Sequence, residues 1–560
     1  MASFFDFVKA PSLEKYKYDL SNEIKFSGKV GQLIPYDWDF LSPGDTVRKN
    51  SSLFLRTAPL IHPIYQRMNI DIHHFFVPLR LIWDDFETFI TGFDQKTGLP
   101  NENINHPKII LKPLSLNFSN YYALFEKTQD AQARLPIFAT SNVADYLGIP
   151  VNDLPFASGY NNGINSNGPD HPSSYENAEF TFSALPFRAY QKVFNDYYRD
   201  SIKENEIQFD TDSLNIVIDN NFIDDVLTSS QRNIFDIRNR AFSKDYFTSS
   251  QPTPQLGEDV SLPSPVVDYG QRVNSSTAGF SSNVSINSTG YAMNNGARVG
   301  LRSDSDTFRL SDGVNFTINK LRELFGIQKW RDTGNKFGSR YKEQVLGHFG
   351  VETPDARLQR AQFLAGGRIP LMINQVSQLS EGTEDSPLGN QAGQGMASGA
   401  DNYFEYDVKE HGILISIISV LPENTYYRGI EKKFKLFDRF DFPFPEFATL
   451  GEQEVSSQEL NVFYPEHQTY GYQERYANFK TKLNRAHGEF TNSLRNFYMA
   501  STQVGDSCLM PANLRCSPTA VDNVFAVSSR EVDNVYFLIN NDMTKFSPLP
   551  YINRITTDYA

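Results

Sequence analysis

The feature that most restricts the fold of this chain is a run of nine residues, 412–420 (Gly-Ile-Leu-Ile-Ser-Ile-Ile-Ser-Val), in which nearly every side chain is apolar. A strand with one face in water alternates apolar and polar residues, whereas a continuous apolar run is typical of a strand covered on both faces. Residues 70–77, 369–376 and 535–539 are predicted strands as well. The sequence therefore predicts a mainly β chain with helices inserted.

Long connections rich in Asn, Ser, Gly and Pro separate the predicted strands, for example residues 161–172 and 251–287. Irregular connections of this length are uncommon unless they are functional or disordered. Strands near both ends of the chain with long excursions between them suit a viral jelly roll, whose eight strands form two Greek keys and whose loops accept insertions. Length alone would allow three or four domains, but no long hinge of low hydrophobicity divides the chain. We therefore expect residues 1–560 to form a single jelly-roll domain with large helix- and loop-containing insertions.

Two segments are predicted helices. Residues 185–200 place apolar and aromatic side chains at three- and four-residue spacing, and residues 319–331 place leucines and a phenylalanine on one side. The pattern of the first segment alone favours a buried helix of a large fold. Its combination of large amphipathic rings and arginine is also typical of contacts between chains. The candidates for self-assembly in this helix are Tyr190, Phe194, Tyr197 and Arg199.

Composition limits the function classes. The chain has 66 acidic and 52 basic residues, a formal charge of −14, which does not favour a free-standing nucleic-acid binder. Aromatic residues make up 14% of the chain, an excess that suits extensive burial inside the subunit or between subunits. No apolar stretch approaches the roughly 18 residues of a membrane span, and the first residues do not resemble a signal peptide.

Motifs that would support catalysis or metal binding were sought without success. Cys508 and Cys516 are the two cysteines, too few for a structural zinc site, and reduced thiols are expected. His73 and His74 are adjacent, so on a strand they point to opposite faces and cannot bind one ion. The glycine-rich residues 389–399 lack the following helix of a phosphate loop and are predicted to be a mobile surface or interface loop. We therefore expect a protein that is not an enzyme and that has no cofactor or metal.

Several motifs in order along the chain resemble one family. They are residues 75–84 (Phe-Phe-Val-Pro-Leu-Arg-Leu-Ile-Trp-Asp), 185–200, 245–249 (Asp-Tyr-Phe-Thr-Ser), 337–341 (Phe-Gly-Ser-Arg-Tyr), 355–360 (Asp-Ala-Arg-Leu-Gln-Arg), 387–393 (Pro-Leu-Gly-Asn-Gln-Ala-Gly) and 471–476 (Gly-Tyr-Gln-Glu-Arg-Tyr). The series is similar to the major capsid protein of the microviruses, small single-stranded DNA phages, and most of all to their gokushovirus-like branch. It spans all but about the last sixth of the chain. Residues 150–180, 205–235 and 262–316 match nothing in that family and are predicted to be variable surface insertions.

The resemblance implies a structural subunit that self-assembles into a T=1 icosahedral capsid of pentamers, about sixty copies in all. Its implied partners are the circular single-stranded DNA genome, a small basic DNA-packaging protein, a pilot protein, a scaffolding protein and a host-surface receptor. Acidic subunits and DNA repel each other, so cations or a basic protein must lie between them. The implied location is the virion, assembled in the host cytoplasm.

Further candidates for self-assembly are basic and tyrosine side chains within the family-like motifs. Arg475 lies between Tyr472 and Tyr476, and arginine and tyrosine pair well in contact surfaces that exclude water. The arginines of residues 355–360 could instead form a solvated, charged helix face. The full second set is Arg340, Tyr341, Arg357, Arg360, Tyr472, Arg475 and Tyr476.

The alternative function is a β-sandwich carbohydrate-binding protein or glycosidase, which would share the aromatic richness and the jelly roll. A glycosidase needs two carboxylates facing each other across a cleft. Asp84 and Asp85 are sequence neighbours near a predicted helix start, where acids also stabilise the helix dipole. A secreted protein of this class would be expected to carry a signal peptide, so the capsid interpretation is preferred.

Overall fold

The computed structural model describes residues 14–92, 104–112, 140–151, 179–218, 229–255, 318–337, 359–377, 391–448, 450–465, 468–499, 514–529 and 532–549, together with a few isolated positions and short pieces between them. The chain divides into two compact units, one formed by residues 1–254 and 337–560 and the other by residues 255–336. Of the helices in the described ranges, none is long and apolar enough to cross a membrane.

The structure is mainly β. The strands are β1 (Tyr16–Asp19), β2 (Asn22–Gly28), β3 (Ile34–Leu41), β4 (Thr46–Thr57), β5 (Met68–Pro78), β6 (Lys108–Leu111), β7 (Phe180–Ser183), β8 (Ile216–Ile218), β9 (Ser285–Ile286), β10 (Ala292–Asn294), β11 (Ala297–Arg298), β12 (Gln362–Ser377), β13 (Gln391–Ala400), β14 (Phe404–Asp407), β15 (Gly412–Pro422), β16 (Glu452–Ser456), β17 (Thr469–Glu474) and β18 (Val535–Ser547). The α-helices are α1 (Phe86–Thr91), α2 (Val143–Tyr146), α3 (Leu185–Val193), α4 (Ser229–Asn233), α5 (Ile318–Phe337), α6 (Ser457–Leu460) and α7 (Ala477–Lys480), and a π-helical turn at Phe194–Tyr198 extends α3. Short 3₁₀ helices occupy Leu79–Leu81, Lys432–Lys435, Arg439–Asp441, Pro445–Phe447, Gly488–Thr491, Arg495–Phe497 and Pro518–Val524.

Ten strands form one antiparallel sheet that folds over itself. Along its path the order is β1, β18, β4, β13, β12, β5, β15 and β3. β2 and β1 lie end to end along one side of β18, and β13 and β14 lie end to end along one side of β4. β12 belongs to both halves, because its first part pairs with β5 up to Leu371 and its last part pairs with β13 from Met372. This architecture confirms the predicted mainly β, jelly-roll-like sandwich, while the predicted count of eight strands is not confirmed.

The two halves of the sheet enclose an apolar core. β4 and β18 contribute alternate residues from one half, and β5, β15 and β3 contribute alternate residues from the other. Alternation with period two is what a strand with one buried face requires. The buried side chains include Leu53, Leu55, Ile70, Ile72, Ile418, Val420, Val535, Phe537 and Ile539.

The half that contains β5 and β15 is buried on both faces. All eleven residues of β15 are buried, as the apolar run predicted. Ile413, Ile415 and Ile417 point away from the sandwich core into a second cluster, which α3 and its neighbours form on the outer face. The strands predicted at 70–77, 369–376 and 535–539 lie within β5, β12 and β18, and the predicted helices correspond to α3 and α5.

One prediction about the glycine-rich residues 389–399 is wrong. From residue 391 they form β13, which pairs with β4 and β12 and buries Ala397 in the sandwich core. A Cβ atom added at Gly395 would lie 2.6 Å from Thr57 Cγ2, so the absence of a side chain permits close packing here. Glycine was taken as a sign of a loop, but it also marks a strand that another element approaches closely.

The predicted insertions are described only in part. Most of residues 150–180 and 262–316 lies outside the described residues, apart from short pieces that include β9, β10 and β11. Within 205–235, β8 joins β6 and β7 in a small three-stranded sheet. The division of residues 1–560 into one domain with surface insertions stays a prediction.

Candidate subunit contact surface

The most exposed aromatic group of the described surface lies in residues 432–447 (Lys-Lys-Phe-Lys-Leu-Phe-Asp-Arg-Phe-Asp-Phe-Pro-Phe-Pro-Glu-Phe), here called the aromatic segment. Phe434 and Phe437 are 76% and 86% exposed, and Phe440, Phe442 and Phe444 are exposed as well. Monomeric soluble proteins rarely expose a contiguous apolar patch of this kind, and such a patch marks an interaction surface. The aromatic segment is therefore the candidate contact surface.

Local sequence explains why the aromatic segment forms short 3₁₀ turns and no strand or long helix. The phenylalanines recur at intervals of three and then two residues, which matches no single regular period. Asp438 and Asp441 form a capping box, in which each carboxylate accepts a hydrogen bond from the other's end of the Arg439–Asp441 turn. The prolines at 443 and 445 cannot donate to a β-ladder. The phenylalanine side chains consequently project from a succession of turns.

The aromatic segment is held against α6 and the β16–β17 hairpin. Lys432 Nζ donates to the Glu454 carbonyl at 2.7 Å, and Lys435 Nζ donates to Gln458 Oε1 at 2.6 Å. Upstream, a Cβ atom at Gly429 would lie 1.7 Å from the Glu459 carbonyl oxygen, so no side chain fits at this position. The exposed rings thus stand on a defined support.

That support has its own small core, formed by Tyr246, Phe247, Tyr426, Val455, Tyr470 and Ala477. Tyr246 donates its hydroxyl hydrogen to Glu459 Oε2 at 3.0 Å, and Ser456 N donates to Glu459 Oε1 at 3.0 Å. Burial raises the pKa of Glu459, and the bond from Ser456 acts in the opposite direction. Because a buried carboxyl needs such partners, Glu459 fixes the support beneath the aromatic segment.

The 471–476 motif lies in this support. The backbone of Tyr472 pairs in both directions with that of Gln251, at 2.7 and 2.8 Å. The Tyr476 hydroxyl accepts a hydrogen bond from Phe444 N at 3.3 Å, and the Arg475 guanidinium lies 5.5 Å from the centre of the Tyr476 ring. Tyr476 itself is buried. The motif thus contacts the aromatic segment directly, and its contact role between subunits stays a prediction.

The helix candidates have a different placement. Tyr190 is fully buried, and its hydroxyl donates to Leu33 O at 2.8 Å and accepts from Arg238 N at 2.9 Å. Phe194 is also buried, with the Arg515 guanidinium 4.5 Å from the centre of its ring. These placements correspond to the other interpretation of this segment, a buried helix of a large fold.

The end of the same segment contacts the chain just before β12. The Tyr197 hydroxyl donates to Ala361 O at 2.5 Å and accepts from Phe363 N at 3.1 Å, and the Arg360 guanidinium stacks 4.8 Å from the Tyr197 ring centre. Arg199 Nη1 donates to Glu204 O at 2.7 Å. All three side chains bind within the subunit, and their role in self-assembly stays a prediction. Arg340, Tyr341 and Arg357 lie outside the described residues.

The two adjacent histidines point to opposite faces of β5, as predicted. His73 Nδ1 lies 2.7 Å from the Tyr198 hydroxyl on the outer face, whereas His74 lies in the sandwich interior between Ser416 and Asp401. Throughout the part of the chain that the structure describes, no three His, Cys, Asp or Glu side chains are grouped as metal ligands. Cys516 is buried and free, and burial raises the pKa of its thiol.

Comparison with known proteins decides the class. A family model described as "Capsid protein (F protein)" matches residues 7–123 and 166–553. The chain belongs to this capsid protein family. Its relatives include the capsid protein VP1 of Chlamydia phage 1, which is 26% identical over 95% of this chain and 92% of its own length. The capsid protein VP1 of Bdellovibrio phage phiMH2K is 28% identical over 87% of this chain and 85% of its own length, and that of Spiroplasma virus 4 is 25% identical over 87% and 84%.

Family membership confirms the resemblance and the structural function predicted from the motifs. This capsid protein is a shell-forming component of the virion and not an enzyme, and the carbohydrate-binding alternative is not favoured. The sequence interpretation missed the aromatic segment as a contact surface. Its signal was present in five phenylalanines within eleven residues, 434–444, next to four basic residues.

Proposed function

We propose that this capsid protein closes a small icosahedral shell around a circular single-stranded DNA genome. About sixty copies would make the same contacts around five-, three- and twofold axes. The observation that supports the proposal best is the aromatic segment, because a rigidly supported group of exposed phenylalanines gains free energy when a neighbouring subunit removes it from water. Contacts that are weak one by one sum to a stable particle through multivalency.

The genome contact requires a helper in this proposal. The chain carries a net charge of −14, so subunit and DNA repel each other at long range. A small basic DNA-packaging protein, or cations, would lie between them, and the isolated subunit would bind single-stranded DNA weakly and with strong salt dependence. A pilot protein, a scaffolding protein and a host-surface receptor complete the proposed partners, and assembly would take place in the host cytoplasm.

Sizing and electron microscopy of the expressed full-length chain test the proposal. Pentamers or megadalton particles are expected, either from the chain alone or after addition of the other virion proteins. Closed particles with icosahedral symmetry in negative stain would support the shell. A protein that stays monomeric under all these conditions and binds a glycan would contradict it and favour the β-sandwich lectin.

A further inference from the structure

A second exposed apolar patch lies around α1 and the residues just before β8. Ile90 and Leu214 are 53% and 69% exposed, and Phe89 is exposed as well. The two stretches are joined by paired side chains, since Thr211 Oγ1 donates to Asp84 Oδ2 at 2.8 Å and Ser213 Oγ donates to Asp85 Oδ2 at 2.6 Å. The set Asp84, Asp85, Glu87, Phe89, Ile90, Asp212 and Leu214 is here called the acidic patch.

The acidic patch has one sign of charge. Residues 84–92 contain three acids and residues 205–214 contain three more, with no lysine or arginine in either stretch. The hydroxyl groups that bond to Asp84 and Asp85 are neutral, so they leave these charges uncompensated. Arg188 is the exception, because it reaches Asp212 from the buried side at 3.8 Å. The outward face is therefore negative and apolar together.

The aromatic segment has the complementary character. Its basic residues are Lys432, Lys433, Lys435 and Arg439. The acceptors of Lys432 and Lys435 are a carbonyl and an amide oxygen, which leave both charges uncompensated. The acids in the turn bind backbone instead, since Asp441 Oδ2 accepts from Phe437 N at 2.9 Å and from Asp438 N at 2.7 Å.

We propose that the aromatic segment of one copy docks on the acidic patch of the neighbouring copy in the shell. The proposal rests on the function proposed above. In a ring related by a rotation axis, a contact joins two different surfaces of the same chain, and each copy must carry both. Buried phenylalanine area supplies the affinity, while opposite charges set the register and exclude other pairings.

Single-stranded DNA is a less suitable occupant of the aromatic segment. Bases stack on aromatic rings, but a surface that binds the strand also needs a continuous basic groove for its phosphates. Asp438, Asp441 and Glu446 lie among the phenylalanines and interrupt such a groove. A protein surface tolerates these acids, whereas a phosphate backbone is repelled by them.

Charge reversal with rescue tests the pairing in the full-length protein. Lys433→Glu with Arg439→Glu alters the aromatic segment, and Asp84→Lys with Glu87→Lys alters the acidic patch. Sedimentation velocity measures subunit association, and circular dichroism checks that each variant is folded. Each pair alone should weaken association about tenfold or more, and the four changes together should restore it because the charges are complementary again. As a matched control, Lys25→Glu in place of the aromatic-segment pair should not restore association, since Lys25 lies on β2 outside both surfaces.

Folded variants that associate like the unchanged protein would overturn the pairing, and so would a fourfold variant that stays as weak as either pair. Normal association with lost binding to a single-stranded oligonucleotide would overturn it in favour of DNA. Phe434→Ser with Phe437→Ser gives a second measurement, because these exposed rings are not needed for folding and their loss should also weaken association. If the unchanged protein never associates, the proposed shell function fails, which is a separate result.

Discussion

The Lys49 ammonium lies 2.6 Å from Asp37 Oδ2 and joins the two halves of the sandwich through its interior. Lys49 is on β4 and its side chain is fully buried, whereas Asp37 is on β3 in the opposite half. Lys49 Nζ also donates to Ser416 Oγ at 2.8 Å, and Ser416 in turn bonds to His74 at 2.8 Å. A polar network of this kind is stabilising only when every member has a partner.

Replacing Asp37 with Asn should therefore destabilise the subunit strongly. The change leaves the buried Lys49 charge without its counter-ion, at a cost of about 3 kcal/mol in the free energy of unfolding. Glu405→Gln is the matched control, because it breaks an exposed ion pair to Arg48 on the same strand and should have little effect. Denaturant unfolding of both variants measures the difference, and equal losses would contradict the prediction.

The stability of the subunit should fall as the pH falls from 7 to 5. Burial, assisted by the nearby Arg240 charge, lowers the pKa of His73 to about 4 from an ordinary value of 6.5. Between these two values the unfolded chain binds a proton that the folded chain does not bind, so folding becomes less favourable, by about 2 kcal/mol at pH 5. Burial also lowers the pKa of His74, which acts in the same direction.

Urea unfolding at pH 7 and pH 5 checks this pH dependence. His73→Gln removes the titrating group, so the variant should lose about 2 kcal/mol less than the unchanged protein over the same interval. Identical losses in the two proteins would show that His73 does not carry the effect.

Two glycines with the same backbone conformation should respond differently to alanine. Gly31 and Gly44 have φ of +88° and +91°, a region that favours glycine. An added Cβ would lie 2.3 Å from the Cys516 carbonyl oxygen at Gly31 but would meet nothing within 4 Å at Gly44. Gly44→Ala should cost about 1 kcal/mol from the backbone alone, and Gly31→Ala about 3 kcal/mol because of the added clash. Thermal unfolding compares them, and a thiol reagent should reach Cys516 faster in Gly31→Ala.

Tyr190→Phe should destabilise the folded subunit without a specific defect in assembly. The change leaves the Leu33 carbonyl and the Arg238 amide without their buried partner, which costs about 2 kcal/mol. Unfolding and particle yield measured on the same variant separate the two roles of α3. Normal stability with failed assembly, in this variant or in Arg199→Ala, would instead support a contact between subunits.

Residues 262–316 are expected to serve host recognition and not shell closure. Their sequence is rich in Ser, Asn, Gly and Thr and has little apolar area to bury. Replacement by a short Gly-Ser linker should leave particles normal and abolish attachment to host cells. Particle counts and attachment assays measure the two effects. Failure to form particles would show that this segment is an arm that holds the shell together.

The sequence by itself determined the local elements. The apolar run at 412–420 predicted a strand covered on both faces, and β15 is buried at every position. The adjacent histidines of β5 point to opposite faces because neighbouring strand residues always do. These properties depend only on the period of one element, which a few consecutive residues reveal.

Only the tertiary structure decided what covers each face. Asp401 and His74 are 327 positions apart in sequence and bonded in the interior, and β12 changes partners from β5 to β13 at Met372 without a break in its own pattern. The same holds for Tyr190, whose helical pattern suits burial and subunit contact equally, and for the phenylalanines of the aromatic segment. Periodicity states that a face must be covered, whereas the covering element is selected by packing between residues far apart in the chain.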